Sequence, residues 1–200
     1  SVVAIYNPIV DDSKPSPATP PVMPEGWVSG SHKRVLAVGT LKSIKDYPTL
    51  LRAFERVSST LDARLLILGE GSERDSLEGM IRDLGLDGRV FMPGFVVDPA
   101  QYMALADLHV LSSTGEGFGN VIVEALEHGV PVVSTDCPSG PRGILCDGEF
   151  GKLVTRGDAA ALAAAMLQSL CEGPDREALK ARARDFSVGP IADQYLEVLL

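Results

Sequence analysis

No stretch of this 200-residue chain approaches the ~20 consecutive apolar positions of a membrane span, and its first residues lack the layout of a secretory signal. Cysteine is scarce. Cys137, Cys146 and Cys171 are an odd set without C-x-x-C spacing, which excludes a disulfide framework or a structural zinc site and fits a reducing compartment. They read as small buried hydrophobes, with one reactive thiol among them as the alternative. His32, His109 and His128 are scattered and form no H-E-x-x-H, so a histidine-built metal centre is excluded. There is no G-x-x-x-x-G-K-[ST], which removes nucleotide hydrolysis of the P-loop type. No two aspartates are separated by a single residue, so the pair that could hold a divalent cation on a diphosphate is missing. Positive charge is also short: 18 Lys and Arg stand against 27 Asp and Glu, net -9. With no basic stripe, a nucleic-acid partner is excluded and a polybasic membrane anchor on this segment is disfavoured. A phosphate can still bind locally, through backbone N–H groups and one cation.

What is present is 45% hydrophobic and 22% charged, ordinary for a globular domain large enough to bury a core. Ser1 to Asn7 reads as a short extended segment. Pro8, Pro15, Pro17, Pro20, Pro21 and Pro24 then break regular structure, so residues 1–31 are expected to be an extended linker from an upstream domain, with a decorated loop within one domain as the alternative. Residues 32–200 are expected to form one domain. Its apolar runs, Val35–Val38, Leu65–Leu68, Val90–Met92, Leu108–Leu111, Val130–Ser134 and Lys152–Val154, have the length of buried strands. Helical patterns cover Tyr47–Ser58, Glu73–Leu84, Pro99–Ala106, Gly119–His128 and Pro141–Cys146, followed by Asp158–Leu170, Asp175–Asp185 and Ile191–Leu200. The alternation predicts an α/β, Rossmann-like, doubly wound parallel sheet of about six strands with helices on both faces. Right-handed crossovers would gather the strand carboxyl ends on one edge, where ligands bind.

Three post-strand segments are candidates for that edge. In Glu116-Gly117-Phe118-Gly119-Asn120-Val121-Ile122-Val123-Glu124, two glycines allow close backbone approach and a new helix aims its positive end at the turn, which suits a phosphate. Glu124 shares a helical face with Gly117 and Val121 and could accept from ribose hydroxyls; its alternative is a solvated acid paired with His128 at i,i+4. In Gly39-Thr40-Leu41-Lys42-Ser43-Ile44-Lys45, Lys45 could reach a diphosphate or remain a solvated loop lysine. At about 4 Å and an effective dielectric of about 20, one such pair contributes on the order of 4 kcal/mol before desolvation. Gly69-Glu70-Gly71-Ser72-Glu73-Arg74 has an arginine where a dinucleotide fingerprint needs its third glycine, so it reads as a tight edge loop with Gly69 and Glu70 as lesser candidates.

These blocks also carry a resemblance. Gly39…Lys45-Asp46-Tyr47-Pro48-Thr49-Leu50-Leu51-Arg52-Ala53-Phe54, Glu116…Glu124 as E-x7-E, and Thr135-Asp136-Cys137-Pro138-Ser139-Gly140-Pro141-Arg142 resemble, in order and spacing, the carboxyl-terminal domain of the family 4 or "group 1" glycosyltransferases. The resemblance runs from about Val35 to Leu170 and implies one half of a GT-B enzyme. Such an enzyme is retaining and metal-independent, with a nucleotide sugar as substrate and no cofactor. UDP-sugars rank first as donor and GDP-mannose second, and a glycan or lipid-linked acceptor is held by an absent amino-terminal domain. It implies a cytoplasmic protein, peripheral to the membrane through that other half, whose present segment binds nucleotide but needs the rest for transfer. Lys45 and Glu116 would be catalytic. Gly39, Thr40, Gly94, Phe95, Gly117, Phe118, Gly119, Asn120, Val121 and Glu124 would join them in binding, Glu124 at the ribose, Glu116 at the sugar, and Gly94 and Phe95 at the base.

Two departures stand out. Thr40 replaces a usual arginine, which leaves Lys42 or Arg142 to substitute, and Gly143 replaces a usual glutamate. A sugar-nucleotide epimerase or phosphorylase on the same plan, or an inactive binding homologue, are the rival readings. Since no paired aspartates exist to hold a metal, UDP binding is expected to survive excess EDTA in a calorimetric titration. A large loss restored by Mg²⁺ or Mn²⁺ would overturn that expectation.

Overall fold

Each apolar run expected as a strand is one, and it is apolar on both sides because helices cover both sides. The computed structural model describes residues 8–10 and 23–199. Its strands are β1 (Lys33–Val38), β2 (Ala63–Leu68), β3 (Val90–Gly94), β4 (Leu108–Leu111), β5 (Val132–Thr135) and β6 (Lys152–Val154). They form one sheet in the order β3-β2-β1-β4-β5-β6, every neighbouring pair parallel. The order reverses between β1 and β4, the switch point where open α/β sheets receive ligands. The helices are α1 (Glu25–Val28), α2 (Tyr47–Thr60), α3 (Arg74–Asp83), α4 (Ala100–Met103), α5 (Asn120–Glu127), α6 (Pro141–Ile144), α7 (Ala159–Cys171), α8 (Arg176–Arg184) and α9 (Val188–Leu199).

Side chains alternate across the sheet with period two. Val35, Ala37, Leu65, Ile67, Leu108 and Val110 meet α2, α3 and α7 through Phe54, Leu77 and Met166. Leu36, Leu66, Leu68, Leu111 and Val132 meet α4, α5 and α8 through Met103, Leu126 and Leu179. Each such side chain contributes about 1.5–3 kcal/mol by leaving water.

Three expectations are corrected. The described parts of the expected linker pack onto the domain: Trp27 in α1 is fully buried, its indole N–H donates to the Val35 carbonyl at 3.3 Å, and the Ile9 amide donates to the Phe186 carbonyl at 2.8 Å. The prolines obscured this, because a proline is also compatible with a helix start, and Pro24 is the N-cap of α1. The extended segment expected at Ser1 to Asn7 lies outside the described residues. The helix expected over Pro99–Ala106 closes early, since Leu105 and Ala106 bond the carbonyls three residues back (Tyr102 and Met103) and tighten the chain into a turn. Of the cysteines only Cys137 is buried; Cys146 and Cys171 are exposed. A thiol this small carries too little apolar area to compel burial. Among the described residues, no helix is long and apolar enough to cross a membrane.

One polar residue sits in the sheet without compensation. His109 of β4 is fully buried between its cross-strand neighbours Leu36 and Val132, and neither ring nitrogen has a protein hydrogen-bond partner. Burial, assisted by the charge of Lys45, pushes its pKa down from 6.5 to about 3. The unfolded chain therefore takes up a proton as the pH falls through about 6.5, while the folded chain refuses it until about 3. This term is absent above about 6.5 and removes up to about 1.4 kcal/mol of stability per pH unit below it. In urea unfolding at pH 7.5 and pH 5.0, His109→Leu is expected to reduce the wild-type loss of stability between the two pH values by about 2 kcal/mol. Equal losses in both proteins would assign the pH dependence to other groups.

Candidate functional site

The loops that leave the strand carboxyl ends are stitched to one another. The Gly39 amide donates to the Leu68 carbonyl at 3.0 Å, the Gly69 amide to Gly94 at 2.9 Å, and the Leu41 amide to Glu70 at 2.9 Å. A Cβ at Gly69 would stand 1.9 Å from the Gly39 carbonyl oxygen, so no larger residue lets the first two loops meet. The fourth and fifth loops cross as closely: a Cβ at Gly140, whose φ is 108°, would stand 1.5 Å from the Phe118 carbonyl oxygen.

At the switch point, Lys45 and Glu116 meet. The Lys45 ammonium donates to Glu116 Oε1 at 2.6 Å, with the two side chains 17% and 10% exposed. The same oxygen accepts from the Ser113 hydroxyl at 2.5 Å. Lys45 closes a short 3-10 turn (Ser43–Lys45) whose position is fixed by β4's loop. The Ser112 hydroxyl donates to the Lys45 carbonyl at 2.7 Å, and the Thr114 amide to Ile44 at 2.8 Å. Below the pair, the Tyr47 hydroxyl donates to the Gly39 carbonyl at 3.0 Å; burial and then the charge of Glu116 raise its pKa. The Cys137 thiol is likewise raised, by burial first and Glu116 second, which favours the thiol over the thiolate.

The α5 amino terminus opens on the same crevice. Its N-cap is Gly119 at φ 99°, with no side-chain cap and no acid in the first turn. By contrast α2, α7 and α8 begin on Asp46, Asp158 and Asp175, whose carboxylates accept from first-turn amides. Orphan N–H groups and the positive end of the helix dipole are thus left for an anion at α5 alone among these four. Asn120 and Gly117 are exposed and Val121 is half-buried. Glu124 is half-buried on the same helix. The His128 ring nitrogen Nδ1 lies 2.9 Å from the Glu124 backbone carbonyl.

The remaining candidates divide. Gly94 is buried beside Glu70, and Phe95 is 72% exposed at the rim, where Val97 (90%) and Ile44 (49%) join it. Sequence reasoning missed both of these, since an exposed aliphatic on a loop has no motif. Phe118 turns inward, its ring 5.8 Å from that of Phe186. Glu70 is taken by Arg74, with Nη2 2.7 Å from Oε1. The arginine that breaks the dinucleotide fingerprint therefore neutralises the acid of its own turn. Thr40 and Lys42 are exposed beside the crevice. Arg142 is held by Asp136 and by Asp147 at 3.0 Å, so its charge is already matched. Arg156, which no motif indicated, reaches the Thr114 carbonyl at 3.2 Å. A cleft of about 310 Å³ at the other end of the sheet, lined by Pro131, Phe150 and Glu172, holds none of these residues.

Residues 32–172 match the family described as "Glycosyl transferases group 1". The chain is 37% identical over 170 residues to the lipopolysaccharide core biosynthesis glycosyltransferase LpsE of Rhizobium meliloti, covering 82% of this chain and 49% of that protein. It is 36% identical over 172 residues to a Campylobacter jejuni enzyme, covering 84% of this chain and 47% of that protein. That relative is named N-acetylgalactosamine-N,N'-diacetylbacillosaminyl-diphospho-undecaprenol 4-alpha-N-acetylgalactosaminyltransferase. Among solved structures, Anabaena HepE in complex with UDP superposes with a TM-score of 0.74 at 30% identity, over 84% of this chain and 48% of that one. The chain spans about half the length of these relatives. On sequence, strand order and edge geometry alike, it belongs to the group 1 glycosyltransferases.

Proposed function

We propose that this segment is the donor-binding, carboxyl-terminal half of a retaining, metal-independent GT-B enzyme that moves a sugar from a nucleotide sugar to a glycan or lipid-linked acceptor. The observation that carries the proposal is the Lys45–Glu116 pair standing before the uncapped start of α5 at the β1/β4 switch point. A cation and orphan N–H groups converge there, which is what a diphosphate requires. UDP ranks first among bases because a relative at 30% identity holds it. A lipid-linked acceptor has support in the diphospho-undecaprenol named for the Campylobacter relative. GDP-mannose ranks second among donors.

Breaking the sugar–phosphate bond builds negative charge on the departing diphosphate. Preorganised donors that strengthen as that charge grows lower the barrier without a metal. In this reading Lys45 and the amides at Gly117 to Asn120 act as those donors. When the diphosphate takes the ammonium of Lys45, the Glu116 carboxylate is released toward the hydroxyls of the transferred sugar, with Ser113 keeping its orientation. Glu124 takes the ribose hydroxyls from the helix face behind. No carboxylate other than Glu116 is assigned to the sugar, so attack proceeds from the front side, a phosphate oxygen receiving the acceptor's proton. Gly94 and Phe95 line the base, and the acceptor surface is supplied by a facing domain. Thr40, which brings no charge to the diphosphate, keeps a binding homologue in play; assaying transfer against donor hydrolysis and epimerisation in the full-length protein separates the readings.

Calorimetry and kinetics on the full-length protein assign the roles. Glu124→Ala is expected to weaken UDP and the UDP-sugar alike. Glu116→Ala is expected to weaken the UDP-sugar, or turnover, more than UDP. Lys45→Ala is expected to reduce transfer on the order of a hundredfold or more. Equal effects of both glutamate variants on both ligands would refute the assignments.

A further inference from the structure

Arg156 lies in the loop between β6 and α7, two strands from the switch point. Its Nη1 nevertheless reaches back past the end of β5 to donate to the Thr114 carbonyl at 3.2 Å, 42 residues earlier in the chain. Thr114 belongs to the loop that carries Glu116, and its own amide donates to Ile44, the neighbour of Lys45. Two cations therefore bracket one loop, Lys45 from the β1 side and Arg156 from the β6 side. The charges of Glu116 and Arg156 both reach the thiol of Cys137, between them on the β5 loop.

The two arginines of this rim differ in what they hold. Arg142 is matched by Asp136 and Asp147. Arg156 is exposed, and among the described residues no carboxylate pairs with it, in a chain of net charge -9. Its single bond to a carbonyl engages one of five N–H donors and steadies the guanidinium without neutralising it. A planar fork fixed in this way is suited to a carboxylate or a phosphate.

Strand order translates into order along the substrate. If the base lies at the β3 loop and the diphosphate at the β1/β4 switch, the sugar extends past Glu116 toward β5 and β6. Arg156 then faces what lies beyond the diphosphate. We infer that Arg156 is a specificity-determining residue that binds an anionic group, carboxylate or phosphate, carried by the transferred sugar or by the acceptor beside it. The inference rests on the donor reading above.

The test uses the full-length protein, wild type and Arg156→Gln, with Arg156→Lys as the variant that keeps the charge but loses the fork. Thermal midpoints confirm that each is folded. UDP, UDP-glucose and UDP-glucuronate are titrated calorimetrically, and inorganic phosphate is titrated into the UDP-saturated protein. A sugar-borne anion predicts that wild type prefers UDP-glucuronate to UDP-glucose by about fivefold or more and that Arg156→Gln erases the preference. An acceptor-borne anion predicts no such preference, but phosphate binding that Arg156→Gln weakens by about fivefold or more and Arg156→Lys partly restores. In both cases affinity for UDP itself changes less than about twofold in Arg156→Gln. If Lys45→Ala weakens UDP while Arg156→Gln changes no ligand, this inference falls and the donor site stands. If Arg156→Gln weakens UDP as much as the other ligands, the guanidinium serves the nucleotide and the inference also falls. If wild type binds neither UDP nor GDP, the donor reading falls and takes the inference with it.

Discussion

The contact between Lys45 and Glu116 joins side chains 71 positions apart at 2.6 Å, and it can form only because parallel pairing with right-handed crossovers brings every strand's carboxyl end to one rim. β1 and β4 are adjacent in space although two strands and three helices separate them in sequence. The loops that follow them are then locked by Ser112, Thr114 and the close approaches at Gly69 and Gly140. The candidate ligand-binding groups of this domain hang on that rim, and the two apolar layers beneath it keep the rim from shifting.

Electrostatically, the rim inverts the character of the whole chain. A net charge of -9 would repel a diphosphate at long range, but screening confines that field to about 10 Å at moderate salt. Inside that distance stand Lys45, the bare start of α5 and, further along, Arg156. The ion pair with Lys45 also keeps the partly buried Glu116 carboxylate from standing alone, a condition that would be costly. Under the donor reading proposed above, exchange of partners as the diphosphate arrives offsets part of the cost of separating the pair.

Much of this was legible from residues alone, for identifiable reasons. Buried parallel strands announce themselves as short apolar runs, so all six were found within two residues or so of their ends. The E-x7-E spacing and the Gly39 to Lys45 block placed the crevice because a helix start and a post-strand turn have local signatures. Contacts made across the rim have none. Arg156 was invisible, since its partner Thr114 is a backbone carbonyl 42 residues away. Nor could the sequence show that Arg142 is spent on two aspartates, or that Phe118 turns its ring toward Phe186. Proline content misdirected the reading before residue 31, where burial of one large indole outweighed a run of breakers. His109 passed as an unremarkable strand residue, because nothing in its neighbours reveals that both ring nitrogens go unanswered.

Trp27 is the chain's sole indole, and it is sealed between α1 and the sheet with its N–H on the Val35 carbonyl. The molecule therefore carries a built-in optical reporter whose emission senses one event, the seating of the segment before β1 on the central strand. Because every other chromophore of comparable brightness is missing, a shift of that emission to longer wavelength isolates the loosening of this seam from changes at the rim. The seating of the segment before β1 can thus be watched by light, without a label.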